Sequence, residues 1–148
     1  MKKRTKRILF AIVAVVLMCL TACTFTSNLS GISDKMQSKE QVGAIMAELA
    51  AGDVDGALKL MHPTVVLQEA ENACNQMSTY LAGRKMIDME LTEINIHTSA
   101  GTSGKVRQED AAFKVILDDD TNIYINFTYL SNRTGEGFLT FQIVLGMG

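Results

Sequence analysis

Few of the residues that could do acid–base chemistry lie at core-facing positions of the predicted strands. Arg107 and Glu109 share the core-facing parity of one predicted strand, so they could reach the mouth of a pocket. There they would form either a catalytic pair or, as we expect, an ion pair at a water-exposed rim. His62 ends a predicted helix before Pro63, a position that the helix macrodipole already explains.

The other candidate groups favour structural interpretations. Cys74 lies on the apolar stripe of a predicted helix, so we expect an inert core thiol rather than a nucleophile. The adjacent carboxylates of Asp118–Asp120 point in different directions, which favours an acidic hairpin turn over a calcium loop. His97 lies on a solvated face, far along the chain from His62, and there is no zinc, nucleotide or hydrolase motif. We therefore predict no catalytic, metal-binding or cofactor-binding residue, and no cofactor.

The first residues have the pattern of an export signal. A basic stretch, Met1–Arg7, precedes the uncharged apolar run Ile8–Leu20, which is too short for a spanning helix. The run ends in Leu20-Thr21-Ala22-Cys23, which resembles the lipobox of bacterial lipoproteins. That resemblance implies cleavage after Ala22 and a diacylglyceryl group on the Cys23 sulfur.

An uncleaved signal anchor is the alternative reading of this segment. Both readings place the domain on the outer side of the membrane, because a basic N-terminus stays inside. We expect a protein at the cell membrane, held by its lipid on the extracytoplasmic side. Cys19 leaves with the leader and Cys23 is acylated, so the remaining Cys74 has no partner for an intramolecular disulfide.

Length and charge define the rest of the chain. The 148 residues, 47% hydrophobic, suffice for one domain and exclude a disordered chain. Five basic residues leave with the leader, so the mature domain is more acidic than the formal net charge of −2. This charge makes nucleic acid a poor partner. The predicted organisation is a signal peptide over 1–22, the acylated cysteine and a flexible tether over 23–37, and one domain over 38–148.

Three helices are predicted at the start of the domain. Ser38 is a natural N-cap, Gln41 completes a capping box, and the stripe of Val42–Leu49 follows. Asp53 caps a second helix, which ends at His62-Pro63. A third helix runs from about Val66 to Ala82, and its face is Val66, Ala70, Ala73, Cys74, Met77 and Leu81.

From Gly83 onwards the apolar period changes to two, which indicates four strands joined by short turns. A change of parity between Leu91 and Ile94 indicates a β-bulge in the long first strand. The predicted core rows are Ile87, Met89, Leu91, Ile94 and Ile96; Phe113, Val115 and Leu117; Ile123, Ile125, Phe127 and Tyr129; and Leu139, Phe141, Ile143 and Leu145. The fold class is therefore α+β, with three N-terminal helices packed on a four-stranded antiparallel meander.

The order of elements resembles the cone-shaped, cystatin-like domains of the nuclear transport factor 2 superfamily. The resemblance is carried by Ala51–Leu58, by His62-Pro63, by the long bulged strand and by Gly137–Phe141. It implies a cone-like fold. Its members include enzymes, carriers and scaffolds, so it implies no single activity.

The functional expectation is a non-enzymatic module that binds a small apolar ligand in the cone or a protein partner. The same apolar lining also fits a simply packed core, and an isomerase or dehydratase with a site in the cone is the alternative. The face of the sheet opposite the core is the expected interface for a homodimer or an envelope protein, because its centre carries little charge. Its candidate residues are Tyr124, Thr128, Gln142 and Val144.

Overall fold

The computed structural model describes residues 31–102 and 104–145. The chain divides into two compact units, Met1–Gln37 and Ser38–Gly148. Residues 31–51 are helical (α1), followed by α2 at Val54–Lys59 and α3 at Leu67–Leu81. The strands are β1 at Met86–Gly101, β2 at Gly104–Leu117, β3 at Asn122–Asn132 and β4 at Gly135–Leu145. The α+β class is confirmed.

The helices of the second unit bury the stripes that their periodicity predicts, with differences at the ends. Val42, Ile45, Met46 and Leu49 of α1 are all buried. The Asp53 side chain caps α2 by accepting from Gly56 N at 2.7 Å. In α3 the buried residues are Ala70, Cys74, Met77 and Leu81. Placing Val66 and Ala73 on that face was wrong, because Val66 precedes the helix and Ala73 lies at the edge of its stripe.

The start of the first helix also differs from the prediction. Residues before Ser38 are already helical, so Ser38 lies inside α1 and is not its N-cap. Of the predicted tether, residues 31–37 are helical and the remainder lies outside the described residues. The signal peptide and Cys23 also lie outside them.

The four strands form one antiparallel sheet in the order β1-β2-β3-β4. Alternate residues of β2 and β3 join the buried residues of α1 and α3 in a single core. The predicted bulge in β1 is confirmed by a register shift between Leu91 and Glu93. The sheet is therefore the meander that alternation predicted.

Two further register shifts overturn part of the predicted core rows. A shift between Met86 and Asp88 turns Ile87 away from the core, leaving it 60% exposed. A shift between Thr128 and Tyr129 pairs Tyr129 with Phe138, so Phe138 is buried where Leu139 was expected. Leu145, the last residue of β4, is exposed.

The segment between α2 and α3 docks directly on β4. Phe138 N donates to Leu60 O and His62 N donates to Phe138 O, each at 2.9 Å. A Cβ added at Gly137 would lie 2.5 Å from backbone atoms of Met61 and His62. Glycine at position 137 therefore permits the close approach that places this segment beside the end of β3.

Candidate functional site

Glu109 is the one carboxylate among the buried residues of the described chain. Its side chain is fully buried, although it lies on β2 at the parity of the apolar core. The Ser38 hydroxyl donates to its Oε1, and Arg107 Nη1 lies 3.1 Å from its Oε2. The Arg107 side chain is only 21% exposed. The expected ion pair forms, but its expected exposure to water was wrong, because Glu109 is fully buried and contacts Ser38 of α1.

Ser38 and Gln41 of α1 approach this end of the sheet from the helix side. Residues at i and i+3 share one face of a helix, so the spacing that predicted a capping box also places both side chains towards the sheet. Ser38 contacts Glu109, and Gln41 forms a side-chain hydrogen bond with Tyr129. The spacing of Ser38 and Gln41 was visible in the sequence, but a local capping box and a tertiary contact with the sheet produce the same spacing.

Tyr129 of β3 is placed beside Glu109 by the register of β2 and β3. Burial raises the pKa of its phenol, and the carboxylates of Glu136 and Glu109 raise it further. The hydrogen bond with Gln41 and the charge of Arg107 oppose that rise in pKa. The phenol is therefore a neutral hydrogen-bond donor and acceptor at neutral pH.

A pocket of about 390 Å³ opens next to this phenol, between α1, the end of α2 and strands β3 and β4. Its size is at the lower end of the range for small-molecule sites. Among the described residues, the buried Oε1 atom of Gln41 has no hydrogen-bond partner. The lining residues are Glu40, Gln41, Ala44, Lys59, Leu60, Tyr129, Glu136 and Phe138.

His62 is buried but lies in a different environment. Its Nδ1 lies 2.8 Å from Thr64 Oγ1, and its Nε2 lies 3.3 Å from Asn132 Oδ1. Both ring nitrogens of His62 therefore contact polar neighbours. The contact with Asn132 links the segment after α2 to the end of β3. The position of His62 after α2 does not by itself reveal this packing, which depends on the docking at Phe138.

The other sequence candidates occupy structural positions. Cys74 is fully buried, as predicted, and burial raises the pKa of its thiol. Asp119 lies in the exposed turn after β2, accepts from Thr121 N at 3.1 Å and lies 3.4 Å from Arg84 Nε. Hydrogen bonds from Thr121 are the main cause of the lowered pKa of Asp119. Within 31–102 and 104–145, no group of three or more His, Cys, Asp or Glu side chains is arranged to hold a metal ion.

The four candidate interface residues lie together on the outer face of the sheet. Tyr124 pairs directly with Val144 across β3 and β4, and both are exposed. Gln142 pairs with Asn126 in the next row. Thr128 is half-buried, and its hydroxyl donates to Asp110 Oδ1 at 2.6 Å. A depression of about 390 Å³ crosses the centre of this face, and Asp110, Asn126, Thr128 and Gln142 belong to its polar lining.

A third depression, of about 380 Å³, lies between α1 and the start of β1. Its α1 wall is made of small and apolar side chains, and Arg84 and Lys85 stand on the opposite side. The Arg84 charge is already engaged by Asp119 and by the Tyr80 ring, whose centroid lies 5.1 Å from the guanidinium. This depression therefore offers an apolar surface with little free polar chemistry.

In the part of the chain that the structure describes, no helix combines the length and hydropathy needed to cross a bilayer. Neither the comparison with protein-family models nor the comparison with curated proteins gives a match for this chain. The geometry of the pocket beside Tyr129 and the pattern of the leader are therefore the basis for a functional proposal.

Proposed function

We propose that this chain is a lipid-anchored lipoprotein of the extracytoplasmic membrane surface, and that its domain is a non-enzymatic binding module. The lipobox Leu20–Cys23 supports the anchor. One observation carries the binding function: a pocket beside Tyr129 has, in its wall, a buried amide oxygen of Gln41 that lacks a partner in the described chain. A buried acceptor without a partner costs free energy, and a ligand donor would recover it.

Binding fits this pocket better than catalysis does. Glu109 is held by Ser38 and Arg107 and is not among the residues that line the pocket. Tyr129 faces the pocket with a phenol whose pKa is raised, so it does not supply a base at neutral pH. The ionisable side chains that line the pocket besides Tyr129 are Glu40, Lys59 and Glu136, and all three are exposed to solvent. The remaining lining groups hydrogen-bond and pack, as in a binding site.

The same proposal includes the finer fold. The bulged first strand and the helices that precede the sheet support a cone-like domain resembling the nuclear transport factor 2 superfamily. In that arrangement the pocket beside Tyr129 is the opening of the cone. The small ligand enters there, and its apolar part packs against Leu60 and Phe138.

An enzyme of the isomerase or dehydratase type is the second candidate, and the buried carboxylate of Glu109 beside Tyr129 favours it. Such an enzyme would move a proton next to a carbonyl group. Incubation of the protein with small ketones in D₂O, followed by NMR, would detect exchange of the protons next to the carbonyl. Exchange that disappears in Glu109→Gln would support the enzyme, and exchange at the uncatalysed rate for the whole ketone panel would exclude this chemistry.

The anchor is tested by metabolic labelling with a palmitate analogue. We expect Cys23→Ala to abolish labelling and to block maturation. Cys74→Ala is the matched control, because that thiol is buried in the core, and it should label like the wild-type protein. Labelling that persists in Cys23→Ala would contradict the lipobox assignment.

The binding function is tested with a library of small fragments and the ¹⁵N-labelled full chain in zwitterionic detergent micelles. We expect the shifted NMR signals of binding fragments to cluster at Gln41, Leu60 and Tyr129. A library that shifts no signal around this pocket would reject the binding function.

The proposed protein contact is the outer sheet face, through a second copy or an envelope protein. This face offers the aromatic ring of Tyr124 and the exposed aliphatic side chain of Val144. Two hydrogen-bonding side chains, Thr128 and Gln142, lie on the same face. Sedimentation of the full chain in detergent should show a dimer that Tyr124→Asp and Val144→Lys dissociate. Val66→Lys, at an exposed valine before α3, is the matched control. If the wild-type protein sediments as a monomer at a concentration of tens of micromolar, the homodimer proposal is contradicted.

A further inference from the structure

We infer that the ligand of the pocket beside Tyr129 is an organic ammonium ion, a protonated amine carried on a small apolar group. This inference rests on the proposed binding function and names the ligand's chemical class. It follows from three features of the pocket wall: an acceptor that lacks a partner, an excess of carboxylates, and an aromatic floor.

The acceptor is the Oε1 atom of Gln41. This oxygen is buried and has no hydrogen-bond partner in the described chain. The same side chain also hydrogen-bonds with Tyr129, so the Gln41 amide lies beside the phenol that lines the pocket. An ammonium group has three donors and no acceptor, so it complements this oxygen, whereas a carboxylate ligand would repel it.

The charge around the pocket is negative. Glu40 and Glu136 both line it, and Lys59 is the one cationic side chain among the lining residues. The nearby guanidinium of Arg107 is neutralised by Glu109 at 3.1 Å. These charges also act on the phenol of Tyr129: Glu136 and Glu109 raise its pKa, and Arg107 lowers it. A cation placed here gains from the same field.

The floor of the pocket is apolar and aromatic. Phe138 and Tyr129 meet edge to face, with ring centroids 5.1 Å apart, and Leu60 and Ala44 complete the wall. Aromatic rings attract cations through their faces, and the aliphatic groups accept the carbon part of the ligand. At about 390 Å³ the space suits a ligand with one ring or a short chain.

The test uses three probes of the same size that differ in charge: benzylammonium, benzyl alcohol and benzoate. The ¹⁵N-labelled full chain in zwitterionic micelles is titrated at neutral pH, and the side-chain amide of Gln41 is followed by NMR. We expect benzylammonium to bind with a Kd of about 1 mM, as a probe of this size allows. Binding of benzyl alcohol should be about fivefold weaker, and benzoate should leave the Gln41 signal unshifted.

Two variants assign the preference to the pocket. Glu136→Gln should weaken benzylammonium binding about threefold to fivefold, because it removes one carboxylate from the wall. Glu90→Gln, an exposed acid that pairs with Lys114 on β1 and β2, is the matched control and should leave the Kd unchanged. Spectra of both variants must show the dispersion of the folded wild-type protein.

The outcomes separate the two proposals. Equal binding of all three probes, or tighter binding of benzoate, would overturn the ammonium inference while the pocket remained a binding site. A pocket that neither these probes nor the fragment library shifts would overturn the binding function itself. If Glu90→Gln weakened benzylammonium binding as much as Glu136→Gln does, the preference for the cation would come from the general surface charge. That result would also overturn the inference.

Discussion

Helix α1 covers two regions of the sheet that differ in chemistry, one apolar and one polar. Further along the helix, Ile45 and Leu49 belong to an apolar core with Phe113 and Val115. Nearer its described start, Ser38 and Gln41 meet Glu109 and Tyr129. The first region needs only apolar area, whereas the second requires each polar atom to find a partner. We interpret the apolar region as the larger source of stability and the polar region as part of the proposed binding site.

The largest effect should come from the apolar region. Phe113 is fully buried and stacks on Phe127, with ring centroids 6.1 Å apart. Phe113→Ala removes that area and leaves a cavity, so we expect a loss of about 4 kcal/mol in the free energy of unfolding. Urea denaturation followed by circular dichroism measures it. Tyr124→Ala, on the exposed outer face, is the control and should cost less than about 1 kcal/mol; equal losses would mean that the core is misplaced.

Glu109 gives the next largest effect. Glu109→Ala removes the carboxylate that accepts from the Ser38 hydroxyl and pairs with Arg107, so we expect a loss of about 2–3 kcal/mol. Glu109→Gln keeps an acceptor for Ser38 and should cost about half as much. The same urea measurement distinguishes them. An alanine variant as stable as the wild-type protein would show that Glu109 is solvated, as the sequence analysis expected.

The Ser38 hydroxyl should contribute about 1 kcal/mol, the value of a typical hydrogen bond. A cap and a buried donor predict similar single-mutant losses, so a double-mutant cycle is needed. We expect Ser38→Ala and Glu109→Ala to be coupled by about 1 kcal/mol. Additive losses would mean that the Ser38 hydroxyl and the Glu109 carboxylate do not interact.

Tyr129 makes stability depend on pH at the alkaline end. Its folded pKa is raised above the ordinary value near 10, so its contribution is complete below about pH 10 and is lost as the pH rises through the folded pKa. The decline in stability above pH 10 should be shallower in Tyr129→Phe than in the wild-type protein. Tyr124→Phe, at a tyrosine on the outer face, should leave the decline unchanged.

The sequence predicted those parts of the fold that local pattern determines. The stripe of Val42–Leu49, the cap at Asp53 and the bulge after Leu91 all follow from spacing along one segment. The exposure of Ile87 and the burial of Phe138 were missed, because a register shift is decided by the neighbouring strand as well as the segment itself.

The candidate site was only partly visible in the sequence, for a related reason. Arg107 and Glu109 were recognised as a core-parity pair, but their burial depends on α1 crossing above them. Ser38 and Gln41 were recognised as a pair at helical spacing, and the local interpretation was preferred. Tyr129 was placed in a predicted core row, but its contacts with Glu109 and Gln41 were not predicted. What was missing was the tertiary contact that joins the three observations.

The most direct test of the division between a stabilising and a functional region is Gln41→Leu. The substitution removes a buried oxygen that has no partner in the described chain, but it also removes the hydrogen bond between Gln41 and Tyr129. The two effects offset each other, so we expect a stability within about 1 kcal/mol of that of the wild-type protein. The same variant should lose the benzylammonium-induced shift at Tyr129. Unfolding in urea and one NMR titration give both values. A variant destabilised by 2 kcal/mol or more, or one that still binds the probe, would contradict the account.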